Sequence, residues 1–415
     1  MLTTNNMGRT FLSLFSEFER AELCQLYIHR TIPDEDVCSS FFQVTDYDVL
    51  KALPFAHPGR EIVHALIEEQ IENGTSHGSV RRGNAGSIAR ILRDIMWSFS
   101  RWYSPKLMEW IDKEKPTCIF VAPGYAKFIY DIAIKIANAY NLSIVTYICD
   151  DYYFVNTPNR FIDRLQLSLL RKKTKQLMSM TDRLVVISEE LKNIYQDCFN
   201  VPTDVIMTGG DHINSFDSSK SEQNLKVSYF GNLSAGRSIS LAEIGRAIDV
   251  INNENQTNIT LQIYSPETSE NRLMCLCGIG SVKLCGFVSG VEFNEAFSSS
   301  NLLIHTESFD EANVDLVKHS VSTKIADSLA SGIPLFAYGP DSISSMKHLI
   351  RNDCAIVATS KDQLKTELEK ALFNKDVRRD VVDNALRTAS EFHNKQKNSE
   401  KLKSIFHEVE ALKIE

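Results

Sequence analysis

Residues 320–337, S-V-S-T-K-I-A-D-S-L-A-S-G-I-P-L-F-A, decide the fold. Ser322 or Thr323 suits the N-cap of a helix that runs to about Ala330. Gly332 ends that helix, and Pro334 opens an apolar strand over 333–337. A helix followed at once by a short apolar strand is half of an α/β repeat, whose strands assemble into parallel sheets covered by helices. Reading outward, the same alternation continues. Strands are predicted at 226–230 (KVSYF), 259–264 (ITLQIY), 301–305 (NLLIH) and 354–358 (CAIVA), with helices over 239–253, 323–330, 342–350, 361–373 and much of 376–412. In the first half, strands are predicted at 22–28, 117–122, 143–148 and 182–187, with helices over 125–140 and 158–179.

Chain length adds a second constraint. At 415 residues the sequence exceeds one ordinary core, so two α/β domains are expected. The polar, Gly- and Ser-rich stretch 209–225 marks a linker, which places the boundary near Asp211. The expected organisation is a Rossmann-like domain over 1–210, a second over 211–390, and a final helix over 391–415 that packs back towards the first. The N-terminus is unusual: M-L-T-T-N-N-M-G-R-T offers only the last residues of an opening strand. That strand is either very short or begins upstream of Met1.

Composition excludes some classes. A net charge of −8 lacks the basic surplus of a nucleic-acid binder. The nine cysteines are scattered, and the C-x-C of Cys275 and Cys277 has no second pair or nearby histidine, so no metal site is expected. The N-terminus lacks the charged-then-apolar order of a secretory signal, and no apolar run approaches a bilayer span. The sequence therefore reads as cytoplasmic. Residues 81–111 interleave Arg81, Arg82, Arg90, Arg93, Arg101 and Lys106 with Trp97, Phe99, Trp102, Tyr103 and Trp110. Such a helix either docks peripherally at the inner face of a membrane or packs its aromatics in the core.

Ligands in open α/β sheets bind beyond the carboxyl ends of the strands, so the residues just after each strand carry the chemistry. In F-G-N-L-S-A-G-R, 230–237, Gly231 permits close backbone approach, Asn232 supplies hydrogen-bonding groups, and Arg237 brings a cation to a helix start. That set suits a diphosphate, or else forms a plain turn with a solvated arginine. Lys324 stands in the first turn of a helix, where a cation is electrostatically misplaced unless an anion sits there. Asp327, one turn later, reaches a ribose diol or simply pairs with Lys324. In I-H-T-E-S-F-D, 304–310, Glu307 either holds sugar hydroxyls or belongs to an acidic surface loop. In the first half, Asp150 and Asp151 follow a strand; they bind or deprotonate an acceptor hydroxyl, or cap the next helix. Gly8, Arg9 and Thr10 stand at the expected end of the opening strand.

Together these pieces resemble the retaining GT-B glycosyltransferases of family 4, many of which serve bacterial capsule and lipopolysaccharide synthesis. The likeness runs from F-G-N-L at 230–233 through G-F-V at 286–288 and H-T-E-S-F-D at 305–310. It continues through S-T-K-I-A-D-S-L-A-S-G-I-P at 322–334 to A-Y-G-P at 337–340, and Gly210-Asp211 looks like the hinge turn ahead of the second domain. The resemblance implies two facing Rossmann-like doubly wound domains with a C-terminal helix crossing back. It implies a UDP- or GDP-sugar donor on the second domain, a glycan, lipid-linked glycan or other hydroxyl acceptor, and neither a metal nor a cofactor. By position, Arg237 and Lys324 would bind the diphosphate with Ser322 and Thr323 beside them, Asp327 the ribose, and Phe287 and Val288 the nucleobase. Glu307 matches the first acid of the family's paired-glutamate motif, but nineteen residues separate it from Asp327 where the family has seven, and Asp327 stands where the family has glutamate. Two other functions fit the same architecture: a nucleotide-sugar epimerase, and a non-catalytic partner subunit. No strand is followed by G-x-G-x-x-G, which argues against a dinucleotide dehydrogenase.

Overall fold

The computed structural model describes residues 6–30, 37–53, 55–62, 86–156, 158–210, 224–411 and 413. The chain forms two compact units, Met1–Ile206 with Gln396–Glu415, and Met207–Lys395.

The first unit carries seven strands among its described residues. β1 (Cys24–Tyr27) pairs in parallel with β2 (Ser40–Gln43), which pairs antiparallel with β3 (Arg60–Ile62). β4 (Cys118–Val121), β5 (Ser143–Ile148), β6 (Arg183–Val186) and β7 (Thr203–Val205) form a separate parallel sheet in that order. β5, S-I-V-T-Y-I, is buried along its whole length, as a parallel strand covered on both faces must be. The helices are α1 (Asn6–Leu14), α2 (Asp46–Ala52), α3 (Ser87–Phe99), α4 (Pro105–Glu114), α5 (Lys127–Tyr140), α6 (Phe161–Met178) and α7 (Glu189–Phe199). Local chemistry explains their limits. Ser104 caps α4 by accepting from Leu107 N–H, Pro105 takes the first helical position, and Lys115 ends it in the left-handed conformation.

Sequence reasoning expected a strand end at the N-terminus. Instead residues 6–14 are helical, so Gly8, Arg9 and Thr10 lie within α1. It also missed β2, β3 and β7. Of the basic-aromatic stretch, Trp97, Trp102 and Trp110 pack in the core and Phe99 is exposed; Arg81 and Arg82 lie outside the described residues. α3 exposes an apolar row, Ile88, Leu92, Ile95 and Phe99, spaced along one helical face.

The second unit is a six-stranded parallel sheet. Its strands are β8 (Lys226–Phe230), β9 (Thr260–Tyr264), β10 (Val282–Gly286), β11 (Leu302–Thr306), β12 (Leu335–Tyr338) and β13 (Ile356–Ala358), in the spatial order β10-β9-β8-β11-β12-β13. The helices are α8 (Arg237–Asn255), α9 (Glu270–Met274), α10 (Gly290–Ser298), α11 (Glu311–Val317), α12 (Thr323–Ala330), α13 (Ser344–Arg351), α14 (Lys361–Phe373) and α15 (Lys375–Phe392). The expected bulge over 308–321 contains α11, capped by Asp310. The helical stretch expected over 376–412 is two helices, α15 and α16 (Lys395–Ala411), and α16 lies within the final helix expected over 391–415. From Gln396 on, α16 belongs to the first unit, where its Leu402, Ile405 and Val409 pack with Leu14, Val145 and Tyr147. No described helix is long and apolar enough to cross a membrane.

Candidate functional site

In the second unit the strand order reverses between β8 and β11, and such a switch point opens a crevice at the carboxyl ends of those two strands. Gly231 and Asn232 follow β8, and Glu307 follows β11. α8 begins at Arg237, close behind them in the chain, and α12 begins at Thr323.

The side chains meet there. A Cβ on Gly231 would lie 2.6 Å from Lys324 Nζ and 2.8 Å from the Tyr229 hydroxyl, so only glycine lets the ammonium rest over this backbone. Arg237 divides its fork: Nη1 donates to Asn232 Oδ1 at 3.2 Å, and Nη2 donates to Glu307 Oε1 at 3.1 Å with Oε2 at 2.8 Å. Asn232 Oδ1 also accepts from Ser234 N–H and Oγ, which fixes the turn. Gly236, at φ +74°, carries the chain into α8, and a Cβ there would strike Ser308 Oγ. Ser240 Oγ donates to the Glu307 carbonyl at 2.9 Å, tying α8 to the end of β11.

Glu307 is therefore no surface acid: its side chain is 2% exposed. Burial pushes its carboxyl above the usual carboxylate range, against the pull of Arg237 and Lys324. His305 lies 3.6 Å from it, and burial with those two cations lowers the imidazole pKa to about 3, so the ring is neutral. His305 Nε2 has no hydrogen-bond partner.

Of the predicted residues, Gly231, Asn232, Arg237, Glu307 and Lys324 converge. Ser322 stands at the N-cap of α12, but its side chain accepts no capping bond; its own N–H donates to Ser345 Oγ. Thr323 opens the helix. Asp327 is buried one turn beyond Lys324. Gly210 N–H donates to the His393 carbonyl, and its backbone lies against Ala326 of α12; Asp211 lies outside the described residues. Phe287, 68% exposed, and half-buried Val288 follow β10, two strands out from β8. Sequence reasoning missed Tyr229 and Ser240. An alternating strand and a helix interior carry no signal that one hydroxyl meets Asn232 O at 2.7 Å and the other the Glu307 carbonyl.

In the first unit, Asp150 and Asp151 follow β5. Asp151 Oδ1 accepts from Tyr153 N–H, Phe154 N–H and the Tyr195 hydroxyl, at 2.9, 3.0 and 3.2 Å. It thus pins the 151–154 turn and does not cap α6, whose N-cap is Arg160. Asp150 is exposed and accepts from the Tyr152 hydroxyl at 3.2 Å. Gly8 is buried in α1, with Arg9 exposed beside it. Among the described residues, no group of three or more His, Cys, Asp or Glu side chains could hold a metal ion, and all nine cysteines are free thiols.

No protein-family model matches the sequence, and no curated protein sequence matches it. Solved structures do. A UDP-forming α,α-trehalose-phosphate synthase from Burkholderia xenovorans, in complex with glucose-6-phosphate, superposes with a TM-score of 0.57 at 10% identity, over 99% of this chain and 98% of that one. HepE of Anabaena, in complex with UDP-glucose, gives 0.53 at 15% identity over 74% of this chain and 83% of that one. Sucrose-phosphate synthase of Thermosynechococcus elongatus gives 0.52 at 12% identity over 77% and 79%. These neighbours are GT-B glycosyltransferases. The chain has the GT-B fold, a pair of Rossmann-like domains.

Proposed function

We propose that this chain is a glycosyltransferase that moves a sugar from a UDP- or GDP-sugar to a hydroxyl acceptor, with the donor bound by the 207–395 unit. The observation that carries the reading is the meeting of Lys324, Arg237 and Gly231 at the switch point of the second sheet. Two cations beside a glycine at the ends of two parallel strands suit a diphosphate, whose charge grows as the glycosidic bond breaks. Arg237 and Lys324 stabilise that leaving group, so no divalent ion is needed. Glu307 holds Arg237 in place, and the unpartnered His305 nitrogen beside them is a buried donor or acceptor awaiting a partner. Asp327 takes the ribose, and the backbone at Phe287 and Val288 takes the nucleobase. Asp150 and Asp151 serve the acceptor hydroxyl; Asp151 is anchored through Oδ1.

The GT-B neighbours support a nucleotide-sugar donor. Retention of anomeric configuration and an acceptor from surface polysaccharide or glycoconjugate synthesis follow from the family resemblance. Peripheral contact with an anionic membrane fits the exposed Ile88, Leu92, Ile95 and Phe99, since residues 86–106 carry Arg90, Arg93, Arg101 and Lys106 against the single buried acid Asp94. Titration with UDP and GDP, then product analysis with their sugars in EDTA, tests the proposal; absence of both binding and sugar release refutes it. A second reading, a donor-binding subunit without turnover, is favoured by the Arg237–Glu307 pair, which occupies half of the guanidinium fork. Tight UDP binding with no transfer to any acceptor would select it.

A further inference from the structure

Two buried histidines lie outside the site described above. His348, on α13, is 7% exposed, and His393, between α15 and α16, is 3% exposed. Their Nε2 atoms stand 3.0 Å apart, with the rings nearly perpendicular. His393 Nδ1 lies 2.9 Å from the Thr208 carbonyl, and Asn352 Nδ2 lies 3.4 Å from His348 Nδ1. These contacts fix every proton. A carbonyl only accepts, so His393 Nδ1 carries the hydrogen and, in a neutral ring, its Nε2 accepts. His348 must then donate from Nε2, which leaves its Nδ1 to accept from Asn352. That amide is oriented by its bond to the His348 carbonyl, at 2.8 Å. The hydrogen bonds run one way, from Asn352 through His348 and His393 to Thr208.

This order holds only while both rings are neutral. A proton on His393 Nε2 sets two N–H groups face to face, and moving the His348 hydrogen to Nδ1 merely transfers the conflict to Asn352. Burial acts in the same direction. It lowers the pKa of His348 from 6.5 to about 3, helped by His393 and Arg351, and that of His393 to about 4, against the Thr208 carbonyl. Around the pair stand Arg351 and Asp353 at the end of α13, Asp327 next to Ala326 on α12, and Glu391 and Lys395 on either side of His393 in the chain.

His393 also grips backbone. Its carbonyl accepts from Gly210 N–H at 2.9 Å, and Gly210 forms a parallel bridge with Asn394. Gly210 in turn lies so close to α12 that a Cβ there would stand 2.4 Å from the Ala326 carbonyl oxygen. All these residues belong to the second unit. The chain passes between the units just outside them, once between Ile206 and Met207 and once between Lys395 and Gln396.

We propose that His348 and His393 form an acid-released latch, which ties the 208–210 segment to residues 393–394 beside both chain connections and lets go when the rings take up protons. Opening frees both rings to titrate at their ordinary value of 6.5, so the closed form is favoured above that pH and loses its advantage as pH falls towards 4. From pH 7.5 to 5.5 each histidine raises the opening constant about tenfold, and the two together about 100-fold.

The test is amide hydrogen exchange by NMR on the whole chain, with each rate divided by that of an unprotected amide to give the opening constant. At Gly210 that constant should rise about 100-fold from pH 7.5 to 5.5 and stay at least tenfold above those of Lys226–Phe230 in β8. His348→Gln keeps a donor towards His393 but cannot titrate, and should cut the rise to about tenfold. Exchange of Gly210 at the same opening constant as β8 overturns the proposal, because the unit then opens only as a whole. An undiminished 100-fold rise in His348→Gln overturns it as well. Should that variant fail to fold, imidazole nitrogen shifts of the wild type at pH 7.5 decide: the hydrogen must sit on Nδ1 of His393 and on Nε2 of His348, and either opposite tautomer overturns the latch.

Discussion

Arg237→Ala offers a severe test of the donor site, because its cost can be worked out beforehand. The guanidinium is the partner of a carboxylate whose side chain is 2% exposed, with Nη2–Oε2 at 2.8 Å. Removing one partner of a buried pair typically costs about 3–5 kcal/mol, since the other charge is left in a poor solvent. Glu307 has one escape, which is to take up a proton. From its ordinary value of 4.5, holding a proton at pH 7 costs 2.5 units, or about 3.4 kcal/mol, so the penalty settles near 3 kcal/mol. The sign of its pH dependence follows. In the variant the folded state holds a proton that the unfolded state has released, so the deficit shrinks by about 1.4 kcal/mol for each unit that pH falls towards 4.5. Adding Glu307→Gln removes the buried charge and should recover most of the loss, giving a coupling energy of about 2–3 kcal/mol. The assay is urea unfolding by circular dichroism at pH 7, 6 and 5. The three tryptophans all lie in the first unit, so their fluorescence serves as an internal control that should not move. A loss below about 1 kcal/mol at pH 7, or no recovery on adding Glu307→Gln, would refute the buried-pair account of the site.

Other outcomes follow from the same geometry. Lys324→Ala removes a charge-assisted contact worth about 1.5–3 kcal/mol, so UDP should bind roughly 10- to 150-fold more weakly by calorimetry, with sugar transfer lost and unfolding little changed; near-normal turnover would mean the phosphate lies elsewhere. His305, His348 and His393 are buried, with pKa values lowered from 6.5 to about 3, 3 and 4. Below pH 6.5 the unfolded chain takes up protons that the folded unit refuses, so the wild-type second unit should lose about 4 kcal/mol between pH 7.5 and 5.5 in urea titrations; a flat profile would contradict their burial. Asp151→Asn keeps the acceptor that pins the 151–154 turn while removing the charge. It should melt within a few degrees of wild type, with transfer reduced at least tenfold; unchanged transfer would leave Asp151 a purely structural residue. Leu92→Glu with Phe99→Glu should abolish co-sedimentation with anionic vesicles and spare transfer to a soluble acceptor, and equal binding by variant and wild type would refute the membrane contact.

The second unit was legible because its signals are local. β8 spans 226–230, α12 spans 323–330 and α14 spans 361–373, each as the apolar runs and end signals predict. A strand buried on both faces must be continuously apolar, and a helix must begin and end at residues that suit its ends. The misplaced charge of Lys324 was legible for the same reason, as an anomaly within one helical turn. The first unit was less so. β3 and β7 have three residues each, and Trp97, Trp102 and Trp110 entered the core although their spacing also suits a membrane face.

What no stretch of sequence contains is the company each side chain keeps. Glu307 reads as one acid in a polar loop, and only the adjacency of β8 and β11, whose paired residues Val227 and Leu302 are seventy-five apart in the chain, turns it into the buried partner of Arg237. The pairing of β1 with β2 and of β4 with β5 is equally invisible along the chain, because an apolar strand looks the same whichever neighbour it has. Periodicity and end signals are written within a turn or a strand, so the sequence by itself determined the elements and their alternation. Burial and pairing are properties of residues distant in sequence, and only the tertiary structure decided them.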